Sequence, residues 1–117
     1  MRALMIAATA TLVATAGSAA AADGKAVFAA KCAGCHVLTA KSGPAGPQLK
    51  GVFGRKIAGA ADYSYSAGLK AKTGVWGANL DAYLAAPASF APGTKMFVRL
   101  ADAGERAAVI AYLKTVK

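Results

Sequence analysis

The chain of 117 residues is short of several things. It holds two cysteines, one histidine and one tryptophan. Acidic residues number 5 against 14 lysines and arginines, a formal charge of +9. No segment alternates convincingly enough for a strand, and no internal repeat is visible. These scarcities exclude a good deal. With a single histidine and two cysteines, a four-ligand structural zinc site cannot be completed. A C-x-x-C disulfide closes so small a ring that it would staple almost no chain. One domain is expected at this length. The basic excess implies acidic partners: nucleic acid, an anionic membrane or an acidic protein face.

What is present is concentrated. Both cysteines and the histidine fall within CAGCH, Cys32 to His36. A thioredoxin-like pair would want a βαβ context, which is missing. A cysteine nucleophile with His36 as its base is poorly arranged, because neighbouring residues on a helix point apart. C-x-x-C-H is also the attachment signature of a c-type haem. That reading employs all three residues: two thioether bonds from Cys32 and Cys35, and an imidazole, His36, on the iron.

The N-terminus begins MRALMIAATATLVATAGSAAAADGK. A positive end, an uncharged stretch from Ala3 to Ala22 and small residues at its close have the shape of a secretory signal peptide, residues 1–22, cleaved after Ala21 or Ala22. A retained anchor is the competitor. Only Leu4, Met5, Ile6, Leu12 and Val13 are strongly apolar there, which favours cleavage. Export implies a periplasmic protein without stable membrane insertion and a mature domain, residues 23–117, of about 95 residues. A domain that small builds a limited apolar core, and a bound tetrapyrrole would enlarge it. Met1 and Met5 go with the leader, leaving Met96 as the remaining methionine. With His36 on one side of an iron, Met96 or a lysine is available for the other; a core gap-filling role is the ordinary alternative for a methionine. A His/Met pair would favour electron transfer over catalysis.

Asp23 is expected to cap a helix carrying Gly24, Phe28, Cys32 and Cys35. Val37 to Gly54 reads as loop. Ser66 is expected to cap a short helix ending near Gly74, and Asn79 another stopped by Pro87. ASFAPGTKM reads as loop again. Asp102 with Glu105 has the form of a capping box before a helix bearing Val109, Ile110, Leu113 and Val116. The fold class expected is all-α, short helices and long loops wrapped around one covalently attached haem.

From Gly24 to Leu113 the chain resembles the class I c-type cytochromes. GKAVFAAKCAGCH, GPQLKGVFGRK, YSYS, Trp76, LDAYLAAP, PGTKM and IAYLK carry the resemblance, in the family's order. It implies thioether bonds at Cys32 and Cys35 and axial ligands His36 and Met96. The Pro47 carbonyl would accept the Nδ1 proton of His36. Arg55, Tyr65 and Trp76 would surround the haem propionates. Gly24 and Phe28 would pack on Val109 and Tyr112. The resemblance further implies a monomeric electron carrier, not an enzyme, that docks on acidic faces of redox proteins: a quinol-oxidising cytochrome complex, a terminal oxidase or a photosynthetic reaction centre. A nucleic-acid partner is disfavoured by export and by the absence of a binding motif. The alternatives are a haem-based gas-binding or sensing protein and a small haem subunit of a periplasmic redox enzyme. The chain departs from the family at Leu69, where many members carry Asn, and at Phe97, which follows Met96 directly.

Overall fold

The structure, a computed structural model, describes residues 7–11 and 22–117. Apart from Ala22 and residues 7–11, the expected leader lies outside the described residues. Five helices follow: α1 (Gly24–Lys31), α2 (Ala67–Lys70), α3 (Asn79–Ala85), α4 (Pro87–Phe90) and α5 (Ala103–Thr115). Loops fill the rest. Among the described residues the sole β pairing is an isolated antiparallel bridge between Lys56 and Val75. The architecture is all-α.

Local chemistry sets the helix starts. The carboxylate of Asp23 accepts from Lys25 N–H at 3.0 Å, and that of Asp102 from Gly104 N–H at 3.2 Å. The Ser66 hydroxyl accepts from Leu69 N–H at 3.3 Å. Two expectations are corrected. Asn79 is the first residue of α3, not its cap: its side chain accepts from Gly77 N–H and donates to the Val75 carbonyl, pinning the preceding turn. Pro87 not only ends α3 but opens α4, where its missing N–H costs nothing.

The first helix is also shorter than expected. It closes at Lys31, and the Phe28 carbonyl accepts from both Cys32 and Ala33 N–H at 2.9 Å. The Cys32 carbonyl then accepts from Cys35 N–H at 3.1 Å and from His36 N–H at 2.9 Å. CAGCH is therefore a tight turn at a helix end, and Gly34 inside it disfavours continuing the helix.

α1 crosses α5. The crossing depends on Gly24: a Cβ there would collide with the Ala108 carbonyl and lie 2.8 Å from Cβ of Tyr112. Gly24 thus meets Ala108 and Tyr112 of α5. Phe28 and Tyr112 follow with ring centroids 5.9 Å apart. Val109 is fully buried and Leu113 nearly so. Arg106 of α5 locks α3 from outside, pairing with Asp81 at 2.8 Å and donating to the Leu100 and Ala101 carbonyls. Trp76, Tyr83 and Phe90 form an aromatic cluster with centroids 5.0 to 5.7 Å apart.

Candidate functional site

The core is not filled by protein alone. Between the CAGCH turn, the loop before Arg55, α3, α5 and the segment 94–98 lies a cavity of about 200 Å³, partly open to solvent. Leu49, Val52, Leu69, Leu80, Leu84 and Val109 make its walls apolar. Every residue singled out from the sequence borders it: Cys32, Cys35, His36, Pro47, Arg55, Tyr65, Trp76 and Met96.

Cys32 and Cys35 are not bonded to each other. Cys32 is half-buried, and burial pushes its thiol pKa up; Cys35 is exposed. Among the described residues no three of His, Cys, Asp and Glu converge on a point where a bare metal ion could sit.

His36 Nδ1 lies 2.9 Å from the Pro47 carbonyl oxygen. A carbonyl only accepts, so Nδ1 carries the proton and Nε2 keeps its lone pair. Burial holds the imidazole pKa below its ordinary value, against the opposing pull of the Pro47 bond. The ring is thus kept neutral and ready to ligate. Gly46 leaves room for it, since a Cβ there would stand 3.1 Å from Nδ1 and Cε1.

Met96 is half-buried, on the segment following α4. Its backbone N–H donates to Thr94 Oγ1 at 3.2 Å, and that oxygen lies 3.1 Å from the Tyr83 hydroxyl. Lys95 Nζ donates to the Ser64 carbonyl at 2.6 Å, tying this segment to the loop before α2. Tyr83 and Thr94 were missed as site residues from sequence. The spacing of Tyr83 with Leu80 and Leu84 signals only a buried helix face. Phe97 is 91% exposed and stands at the rim of the cavity.

Arg55 and Trp76 stand side by side, because Trp76 N–H donates to the Arg55 carbonyl at 2.9 Å. The Tyr65 hydroxyl accepts from Ala60 N–H at 3.0 Å, which leaves its own proton free to donate. The Arg55 guanidinium is held by Gln48 and Lys50, yet its Nε is buried without any partner among the described residues. A buried unpaired donor on a permanent cation calls for an anionic acceptor.

The site therefore presents an apolar slot, two thiols on one turn, a neutral imidazole, a thioether and a cation with a free donor at the edge. These fit a haem: a flat apolar macrocycle with two vinyl groups, a metal that takes nitrogen and sulfur ligands, and carboxylates at its rim.

Comparison with known proteins agrees. The family model for cytochrome c matches residues 21–117. Cytochrome c of Ulva intestinalis is 47% identical over 96 residues, covering 80% of this chain and 86% of that protein. Cytochrome c-type cyt cy of Rhodobacter capsulatus is 43% identical over 95 residues, 80% of this chain but 47% of that longer protein. Among solved structures, cytochrome cH from Methylobacterium extorquens superposes with a TM-score of 0.73 at 44% identity, covering 81% of this chain and 97% of the other. With its slot, its thiol turn and these relatives, the chain belongs to the cytochrome c family, the class I c-type cytochromes, which carry electrons on a covalently bound haem c.

Proposed function

We propose that this chain is a periplasmic one-electron carrier whose haem is bonded at Cys32 and Cys35 and ligated by His36 and Met96. The observation that carries the reading is the placement of His36 and Met96 on one apolar cavity, the imidazole neutral with Nδ1 committed to Pro47. When bound, the haem supplies a reversible change between ferric and ferrous iron.

The chain's own residues would do the rest. Cys32 and Cys35 hold the group by covalent bonds. Pro47 fixes the tautomer and orientation of His36. Thr94 and Lys95 restrain the segment that presents Met96, which would keep its thioether on the iron when the haem is bound. Arg55, Tyr65 and Trp76 line the propionate edge. The apolar walls keep water out, which reduces the solvent reorganisation that accompanies electron transfer.

Residues 1–22 are proposed to be a leader removed after Ala21 or Ala22, leaving domain 23–117 in the periplasm. No helix among the described residues is long and apolar enough to cross a membrane. Lys31, Lys95, Phe97 and Val98 border the cavity mouth. An acidic face with an apolar centre suits that rim: a quinol-oxidising cytochrome complex as donor, with a terminal oxidase of the respiratory chain or a photosynthetic reaction centre as acceptor. The carrier acts as a monomer.

The test is the haem-loaded protein and its Met96→Ala variant. The wild type should show a single one-electron titration, a weak near-red absorption from thioether on ferric iron, and slow binding of imidazole and carbon monoxide. Met96→Ala should bind both far faster, at a lower potential. Fast carbon monoxide binding by the wild type would instead mark a gas-binding protein.

A further inference from the structure

We propose that Gln48 is the positioning residue of Arg55, with Ser42 and Asp62 behind it holding Gln48 in place. This deepens the haem reading of the cavity and rests on it.

The contacts form one continuous chain from the cavity wall to the surface. Arg55 Nη1 donates to Gln48 Oε1 at 2.9 Å and to the Lys50 carbonyl at 3.3 Å; Nη2 donates to the Gln48 carbonyl at 2.9 Å. Gln48 thus grips the guanidinium with both side chain and backbone. Gln48 Oε1 also accepts from Lys50 N–H at 2.8 Å. Two donors converge on that atom, so it must be the amide oxygen, and the orientation of the side chain is fixed. The backbone of Gln48 is anchored in turn: its N–H donates to Ser42 Oγ at 2.9 Å. The Ser42 hydroxyl donates to Asp62 Oδ1 at 2.6 Å, and Ser42 N–H to Asp62 Oδ2 at 2.7 Å. Asp62 takes both donors of one residue, a two-point clasp between loops 20 residues apart.

The arrangement matters for Arg55 because a free arginine side chain regains rotamer entropy by swinging into water. Gln48 and Lys50 occupy the outer nitrogens, and the buried Nε is left without a partner among the described residues. A cation held at that wall favours the occupant state with the lower positive charge, the ferrous one. Loosening Gln48 lets the cation drift into solvent, where its influence is screened.

The experiment is a redox titration of the haem-loaded protein, its Arg55→Ala and Gln48→Ala variants and the double variant, with thermal unfolding alongside. At a fixed electrode potential, Arg55→Ala should reduce the ferrous-to-ferric ratio about tenfold, 59 mV for one electron. Gln48→Ala should reduce it about threefold in the wild type and leave it unchanged once Arg55 is gone. Ser42→Ala should act in the same direction with smaller size, and likewise only with Arg55 present. If Gln48→Ala does not accumulate, Ser42→Ala against Arg55→Ala reads the same coupling. Equal shifts with and without Arg55, or lost stability at an unchanged potential, overturn the positioning role. A wild-type chain that carries no covalent haem overturns the site reading along with it.

Discussion

The hydroxyl of Tyr83 and Oγ1 of Thr94 lie 3.1 Å apart, both residues buried, and the same Oγ1 accepts the Met96 backbone N–H at 3.2 Å. One small side chain thus couples α3 to the segment that presents Met96. Burial keeps the Tyr83 phenol above its ordinary pKa, with Thr94 pulling the other way, so it stays neutral near neutral pH. Thr94→Val keeps the shape and removes both bonds. It should cost about 1–3 kcal/mol, as for a buried donor left unpaired, and speed imidazole binding to the haem-loaded protein. Tyr83→Phe, which removes one bond, should do less. Denaturant titration and stopped-flow absorbance measure the two effects.

A second prediction concerns the α1–α5 crossing. Gly24→Ala would drive its methyl group into the Ala108 carbonyl, a backbone atom that cannot step aside without moving α5. Overpacking of this kind costs about 1–3 kcal/mol. Gly34 has open space around it and φ is not positive there, so Gly34→Ala should cost far less. Equal melting temperatures for the two variants would refute the close approach.

The Ser42–Asp62 clasp makes a prediction about acid. Two hydrogen bonds from Ser42 hold the Asp62 carboxyl below its ordinary value of 3.8, with Arg55 adding a smaller pull. A lowered folded-state pKa means the stabilisation is full above the unfolded value and is lost as pH falls through the folded one. Asp62→Asn should therefore melt below wild type at pH 7. The gap should narrow as the pH drops under about 3.8 and then close. A gap independent of pH would remove the charge of Asp62 from the account.

Much of the site was legible in the sequence, because its chemistry is written in rare residues. Cys32, Cys35 and His36 stand out by type and spacing and Met96 as the methionine left after the expected leader, and all four line the cavity. Caps were partly legible. Asp23, Ser66 and Asp102 accept from the N–H groups just ahead of them, a local contact that sequence order encodes. Asn79 looked the same and acts backwards, since its side chain finds partners in the turn behind it. Gln48 and the Ser42–Asp62 clasp were illegible. They join loops, where no periodicity marks which side chains face each other, and Asp62 meets Ser42 across 20 positions of chain. Phe97 was ambiguous for the opposite reason: its neighbour Met96 suggested a role at the cavity, and it lies at the rim, 91% exposed.

The final prediction concerns docking. Lys31 and Lys95 border the cavity mouth, whereas Lys41, Lys50, Lys70 and Lys72 lie outside its lining. Lys72 instead rests its ammonium 4.7 Å from the centre of the Phe90 ring. Lys95 is held by the Ser64 carbonyl, so its charge stays at the rim at little further entropic cost when a partner arrives. A basic rim raises the encounter rate with an acidic partner by about 10- to 1000-fold at low salt. Across about 10 to 200 mM salt the Debye length falls from about 30 to under 10 Å, so the bimolecular electron-transfer rate should fall steeply. Lys31→Glu should flatten that dependence most. Lys95→Gln should flatten it less, since it removes one charge without reversing it, and the accompanying loss of the Ser64 bond is tracked by the melting temperature. Lys117→Glu, at the chain end and outside the cavity lining, should leave the slope nearly unchanged. Equal slopes for Lys31→Glu and Lys117→Glu would show that the net positive charge acts as a diffuse whole and that the rim has no special part in docking.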